Sequence, residues 1–330
     1  NFMMIAIVWL GAHHIGAGNL QVGNMLAFLQ YSMQAVSAFL VISIIFMNLP
    51  RAAVSAKRIT EVLETESQIQ DPVNPVKAPR RGGKVEFRNV TFTYPGAAEP
   101  VLYNISFIAL PGETTAFVGS TGSGKSTIIN LIPRFYDATN GQVLVDDIDV
   151  RAMKQKNLRE RIGYVSQKAM LFSGTIKDNI IYGNPRASQE EILQAAATAQ
   201  ALEFIKELEQ TFDSSIAQAG SNFSGGQKQR LAIARALAKN PELYLFDDSF
   251  SALDFKTDTA LRHALKTEAK GKTVIIVTQR IATIMNADKI IVIDKGEIVG
   301  QGTHKSLLRT CKTYREIAAS QLAPEELARF

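Results

Sequence analysis

Apolar and polar positions follow two regimes along this chain. Before Arg51 there is no Asp, Glu, Lys or Arg, and two apolar runs, Phe2 to Ala17 and Asn24 to Leu49, fill the stretch. The second run has 26 residues, enough as a helix to cross the roughly 30 Å hydrocarbon core of a bilayer with some tilt. The first is slightly short for a full span. From 51 to 70 the pattern predicts a helix continuing beyond the apolar run, with Ile59, Val62 and Leu63 on one face. The tract DPVNPVKAPRRGG at 71–83 is Pro-rich, basic and turn-forming, and reads as a linker.

After the linker, short β-type runs alternate with helical ones. Strands are expected at Val85 to Phe92, Leu102 to Ala109, Thr114 to Val118, Gln142 to Val145 and Ile162 to Val165, and again at 243–246, 273–278 and 289–294. A helix is expected from Lys125 to Ile132; residues 188–240 read as mostly helical, with a long helix opening after Gly226. Such alternation predicts an α/β domain with a largely parallel sheet covered on both faces, ligand at the strand C-termini, and a helical subdomain. The expected organisation is transmembrane helices over 1–50, a helical extension and linker over 51–83, and one α/β domain over 84–330, without internal repeats.

Charge and cysteine content sharpen this. Arg51, Lys57 and Arg58 follow the second apolar run at once, which assigns that end, and the domain after it, to the cytoplasmic side. A multi-pass protein of the cell membrane is expected. Because the chain opens at Asn1 inside apolar sequence with no basic segment ahead, the first run reads as the cut end of a membrane helix rather than a signal peptide. The single cysteine, Cys311, excludes an internal disulfide framework. The net charge of +5 comes from 36 basic residues scattered among 31 acidic ones. A juxtamembrane surface accounts for that excess, and no nucleic-acid partner is expected.

Two motifs carry the chemistry. GSTGSGKST at 119–127 fits G-x-x-x-x-G-K-[ST] between a β-type and a helical run. Backbone N–H groups from Gly119, Ser120, Thr121, Gly122, Ser123 and Gly124 to Thr127 are expected to cradle phosphates, Lys125 to add a point charge and Ser126 to offer a hydroxyl to Mg²⁺. The fold implied is that of a P-loop NTPase. Asp247 closes the apolar run Leu243 to Phe246, the arrangement that holds an acid near the metal. The second motif is FSGGQ at 223–227, where Gly225 and Gly226 allow close approach to a phosphate at a helix start.

On these residues the chain resembles an ATP-binding cassette transporter subunit of the exporter type, in which membrane helices and ATPase are fused. The resemblance covers nearly all of the chain. It implies that Tyr94 in FTYPG stacks on adenine, that Gln167 in YVSQ senses Mg²⁺ and that Asp254 in SALD lies on the D-loop. It further implies that Ser224, Gly225, Gly226 and Gln227 bind the γ-phosphate of ATP held by a partner's P-loop. The run GTIKDNIIYGN at 174–184 is also similar to the exporter pattern.

Three departures stand out against that resemblance. Asp248 stands where a Glu polarises the attacking water, and Gln279 where a His contacts the γ-phosphate. The shorter Asp withdraws its carboxylate by about 1.5 Å, a displacement that can cost about a hundredfold in rate, and Gln279 cannot carry the charge that stabilises the transition state. In IAQAG at 216–220, Gln218 and Ala219 replace a Glu-Arg pair. The resemblance thus extends to the degenerate-site subunit of heterodimeric multidrug or lipid exporters, whose partner half-transporter supplies the competent Glu and His; a slow homodimer is the other reading. A hydrophobic small-molecule substrate is implied. A soluble cassette ATPase of DNA repair or translation would share the motifs but not the uncharged first fifty residues, and a regulatory ATP-binding subunit without turnover is a further alternative.

In the second apolar run Gln30, Gln34 and Ser37 share one helix face, lining either a transport cavity or a contact with neighbouring helices. His13 and His14 are expected at a membrane interface, and His263 and His304 on the surface.

Overall fold

The structure, a computed structural model, describes residues 2–77 and 82–322; residues 78–81 of the expected linker lie outside it. It divides into two compact units, Asn1–Gln68 and Ile69–Phe330, a boundary that falls inside the stretch read as extension and linker.

In the first unit, α1 (Phe2–Gly16) and α2 (Val22–Leu63) are joined by a short turn. The 42 residues of α2 run without interruption through Pro50, so apolar run and extension are one helix. It ends at Leu63, seven residues short of the expected end, where the apolar spacing gives out. At Gly11 α1 lies close against α2: a Cβ there would lie 2.5 Å from Met25 Sδ. By length and composition α2 alone among the described residues can cross a membrane, and its apolar window has no buried residue.

Among the described residues the second unit has twelve strands. In chain order these are β1 (Val85–Phe92), β2 (Leu102–Ala109), β3 (Thr114–Val118), β4 (Asn140–Val145), β5 (Ile148–Asp149), β6 (Ile162–Val165), β7 (Gly174–Thr175), β8 (Ser215–Ile216), β9 (Leu243–Asp247), β10 (Thr273–Val277), β11 (Lys289–Asp294) and β12 (Glu297–Gly302). The helices are α3 (Lys125–Leu131), α4 (Gln155–Glu160), α5 (Ile176–Ile181), α6 (Gln189–Thr198), α7 (Leu202–Lys206), α8 (Gly225–Ala238), α9 (Phe255–Glu268), α10 (Ile281–Ile284), α11 (His304–Thr310) and α12 (Lys312–Ala319).

The main sheet has the order β12-β11-β3-β10-β9-β6, parallel except at the β12 edge. Its central strands are buried on both faces, as the uniformly apolar sequences of β9 and β10 require. Alternate residues serve two cores. Ala116, Tyr244, Phe246, Ile276 and Val292 face the helical side, whereas Phe117, Leu245, Ile275 and Ile291 face the other.

That other face is covered by a second sheet, β2-β1-β4-β5, entirely antiparallel. The runs at 85–109 and 142–145 therefore form their own sheet rather than join the parallel one. The reason is visible in β2, whose residues alternate between buried and exposed from Ile105 to Ala109, as a one-sided antiparallel strand must. Arg161, at the start of β6, ties the two sheets together by pairing with Asp146 and with Glu242 at 2.6 Å.

The stretch 188–240 is helical but interrupted. Between α7 and α8 lie 3₁₀ turns at 211–213 and 218–220 and strand β8, which pairs with β7. His304 is 4% exposed and its Nδ1 lies 2.6 Å from the Tyr314 hydroxyl. The surface position expected for it is thus wrong, because α12 folds back over the start of α11. His263 is exposed on α9 as expected.

The second unit also includes the chain from Ile69. Asp71 Oδ1 accepts from the Gln155 N–H at 2.8 Å, and the Val76 N–H donates to the Ala152 carbonyl at 2.8 Å.

Candidate nucleotide site

Strand β3 ends at Val118 and α3 begins at Lys125, so the six residues between them form a loop at the C-terminal edge of the sheet. Two glycines are needed for that loop to close. A Cβ at Gly119 would collide with the Ile293 carbonyl, and Gly124 has φ +100° with Leu102 Cδ2 2.6 Å from where its Cβ would be. The loop curls around the Lys125 ammonium, which donates to the Gly119 and Ser120 carbonyls at 2.9 and 2.6 Å and to Ser123 Oγ at 3.3 Å. Lys125 is 7% exposed. Burial lowers its pKa, and the carboxylates of Asp248 and Asp247 oppose that shift.

The acids come from β9. Ser126 Oγ donates to Asp247 Oδ1 at 2.9 Å. Burial pushes the Asp247 carboxyl above its ordinary pKa, the Ser126 hydrogen bond opposes this, and the neighbouring Asp248 adds to it. Asp248 sits at φ +44°, a left-handed conformation that Asp tolerates better than most residues. Its N–H donates to the Val277 carbonyl at 2.7 Å. Its carboxylate accepts from Gln167 Nε2 at 3.3 Å and from Thr278 Oγ1 at 3.2 Å. Gln279 Oε1 in turn accepts from Thr121 Oγ1 at 3.4 Å.

One cleft therefore gathers Thr121, Gly122, Gly124, Lys125, Ser126 and Thr127 with Gln167, Asp247, Asp248 and Gln279. Gly119, Ser120 and Ser123 are not among the lining residues but hold the lysine. Val101 and Thr278 also line the cleft and were not singled out from the sequence. Thr278 had a signal, a hydroxyl at the C-terminal end of an apolar strand, whereas nothing in the sequence points to Val101.

The remaining candidates are not among the residues that line the cleft, although Tyr94 touches one that is. Tyr94 is half-buried; its hydroxyl is 2.9 Å from Thr127 Oγ1 and its ring meets Phe92 and Tyr136 edge to face, with centroids 4.8 and 5.2 Å away. Ser224 caps α8: its hydroxyl accepts from the Gln227 N–H, and Gln227 Oε1 accepts from the Ser224 N–H at 2.9 Å. Ser224 and Gly225 are exposed, Gly226 and Gln227 half-buried. Asp254 caps α9, and the Thr257 N–H it accepts at 2.9 Å holds its carboxyl below the usual range.

The cleft fits a polyphosphate with a hard divalent cation. Lys125, whose buried ammonium the loop encloses, lines it together with Ser126 and Asp247, which offer oxygen ligands. Among the described residues no group of three His, Cys, Asp or Glu could hold a metal ion by itself.

Comparison with known proteins agrees with this geometry. Residues 102–251 match a family model described as ABC transporter. An uncharacterized ABC transporter ATP-binding protein of Mycobacterium tuberculosis is 48% identical over 326 residues, 97% of this chain and 56% of the relative. The ATP-dependent lipid A-core flippase of Syntrophus aciditrophicus is 36% identical over 322 residues, 98% of this chain and 53% of the relative. The solved structure of a bacterial Atm1-family ABC exporter with ATP bound superposes with a TM-score of 0.82 at 34% identity, over 98% of this chain and 57% of that one. The chain thus spans little more than half the length of each of these three proteins.

Proposed function

We propose, from the premise that this chain carries an ABC transporter ATP-binding domain, that it works as a subunit of an ATP-driven exporter in the cell membrane. Helix α2 crosses the bilayer, with α1 beside it in a multi-pass membrane part, and the second unit lies in the cytoplasm. The cargo class is hydrophobic or amphipathic, in line with an apolar membrane part and with a relative named as a lipid A-core flippase.

ATP with Mg²⁺ supplies a triphosphate whose hydrolysis drives the cycle. Lys125 and the loop bind it, Ser126 and Asp247 hold the cation, Gln167 reports on it, and Tyr94 carries the base. The observation that carries the reading is the Lys125, Ser126 and Asp247 constellation at the edge of β3 and β9. A helix cap that is exposed and outside the cleft, Ser224 with Gly225, supports a two-chain arrangement in which each chain's cap completes the other's site.

The subunit's own hydrolytic site is slow. Asp248 is a short carboxylate already engaged by Gln167 and Thr278, and Gln279 is neutral. A partner half-transporter with Glu and His at the matching positions performs most of the turnover. The test is ATP hydrolysis by the intact subunit alone and with that partner. Nucleotide binding without turnover alone, and turnover on pairing, is expected; brisk turnover by the single subunit species overturns the slow-site reading.

A further inference from the structure

The loop that carries Gln279 is fastened from the far end of the chain. It runs from Thr278 to Ile281, the first residue of α10, whose N-cap residue Arg280 makes no side-chain capping bond. The side-chain amide of Gln321, just past α12, takes that place. Its Nε2 donates to the Gln279 carbonyl at 2.7 Å and its Oε1 accepts from the Ile281 N–H at 2.9 Å. One planar amide therefore grips the backbone on both sides of Arg280, with two bonds of ordinary length.

Gln321 is itself anchored. Its N–H donates to the Ala318 carbonyl at 3.1 Å, and the adjacent Leu322 packs on the helical-side core. The other fastenings of the loop act elsewhere: the Thr278 N–H on the Phe117 carbonyl, the Arg280 N–H on Thr278 Oγ1, and Arg280 Nη2 on the Ser251 carbonyl. An exposed glutamine gives up about 1–2 kcal/mol of rotamer freedom to stay ordered, and the two backbone bonds offset that cost.

We infer that Gln321 is the positioning residue for Gln279, holding its backbone so that its side chain meets Thr121 and the terminal phosphate. The inference rests on the nucleotide reading of the cleft. Without the amide, the Gln279 carbonyl and the Ile281 N–H lose these partners, and the side chain loses its fixed origin.

The test uses the intact subunit in detergent, comparing Gln321→Leu with the unsubstituted chain. Hydrogen exchange at the Ile281 amide should quicken roughly tenfold in the nucleotide-free protein. The ratio of ATP to ADP affinity should fall roughly three- to tenfold, with ADP affinity itself unchanged, as expected for one or two neutral hydrogen bonds. In a Gln279→Ala background, Gln321→Leu should leave the ratio where Gln279→Ala alone puts it. An unchanged ratio, parallel loss of ATP and ADP binding, or full additivity of the two substitutions overturns the inference alone. Failure of the unsubstituted chain to bind either nucleotide overturns the nucleotide reading and this inference with it.

Discussion

The Ser126 hydroxyl donates to Asp247 Oδ1 at 2.9 Å, joining the first turn of α3 to the end of β9 across 121 residues of sequence. Burial raises the pKa of the carboxyl in this pair, so ionised Asp247 costs stability that is recovered as the pH falls through its folded pKa. Asp247→Asn should raise the melting temperature of the nucleotide-free protein at neutral pH, and that gain should shrink in acid as the wild-type carboxyl protonates. The same variant should lose the extra stabilisation Mg²⁺ gives in the presence of ATP. Thermal melts with and without Mg²⁺ check both signs.

Lys125→Met removes a buried charge that the loop encloses. Losing such a contact to a phosphate costs roughly 2–5 kcal/mol, a fall in ATP affinity of about 1.5 to 3.5 orders of magnitude. Equilibrium binding of a fluorescent ATP analogue measures it, and affinity unchanged within threefold would remove Lys125 from the site.

Restoring the missing chemistry should raise turnover at this site. Asp248→Glu with Gln279→His is expected to increase phosphate release roughly ten- to hundredfold, with ATP affinity altered only slightly. The assay pairs the variant with a partner whose own catalytic Glu is removed, so the signal comes from this chain. An unchanged rate would favour a regulatory subunit.

Ser224 has two separable roles. Ser224→Ala should cost about 1 kcal/mol of stability through loss of the cap. Ser224→Asp keeps an N-cap but sets a negative charge against the partner's nucleotide, so stability should hold while ATP-dependent association is lost. Chemical unfolding and ATP-driven cross-linking report on the two separately.

Much of this was legible because local sequence and local structure coincide. The loop at 119–124 needs glycines wherever it occurs, and Asp247 follows a run too apolar to be anything but an inner strand. The separation of β1, β2 and β4 into their own sheet was harder to read, since a half-exposed strand shows its nature only through which neighbours cover it. Residues such as Thr278 and His304 depend on distant partners. Thr278 matters because the Asp248 carboxylate lies 3.2 Å away, just past the neighbouring strand β9, and His304 is buried because Tyr314 returns to it. Gln321 is the extreme case, an unremarkable glutamine in sequence whose contacts lie some forty residues back.

Neighbouring residues of β3, β9, β10 and β11 point into opposite cores, yet all four strands deliver their ends to one edge of the sheet. That edge is consequently a shared wall: a cavity opened beneath Leu245 and one opened above Phe246 touch no common side chain but tilt the same strand. Random mutagenesis should therefore find loss of ATP affinity in both layers of the core as well as at the residues that line the cleft.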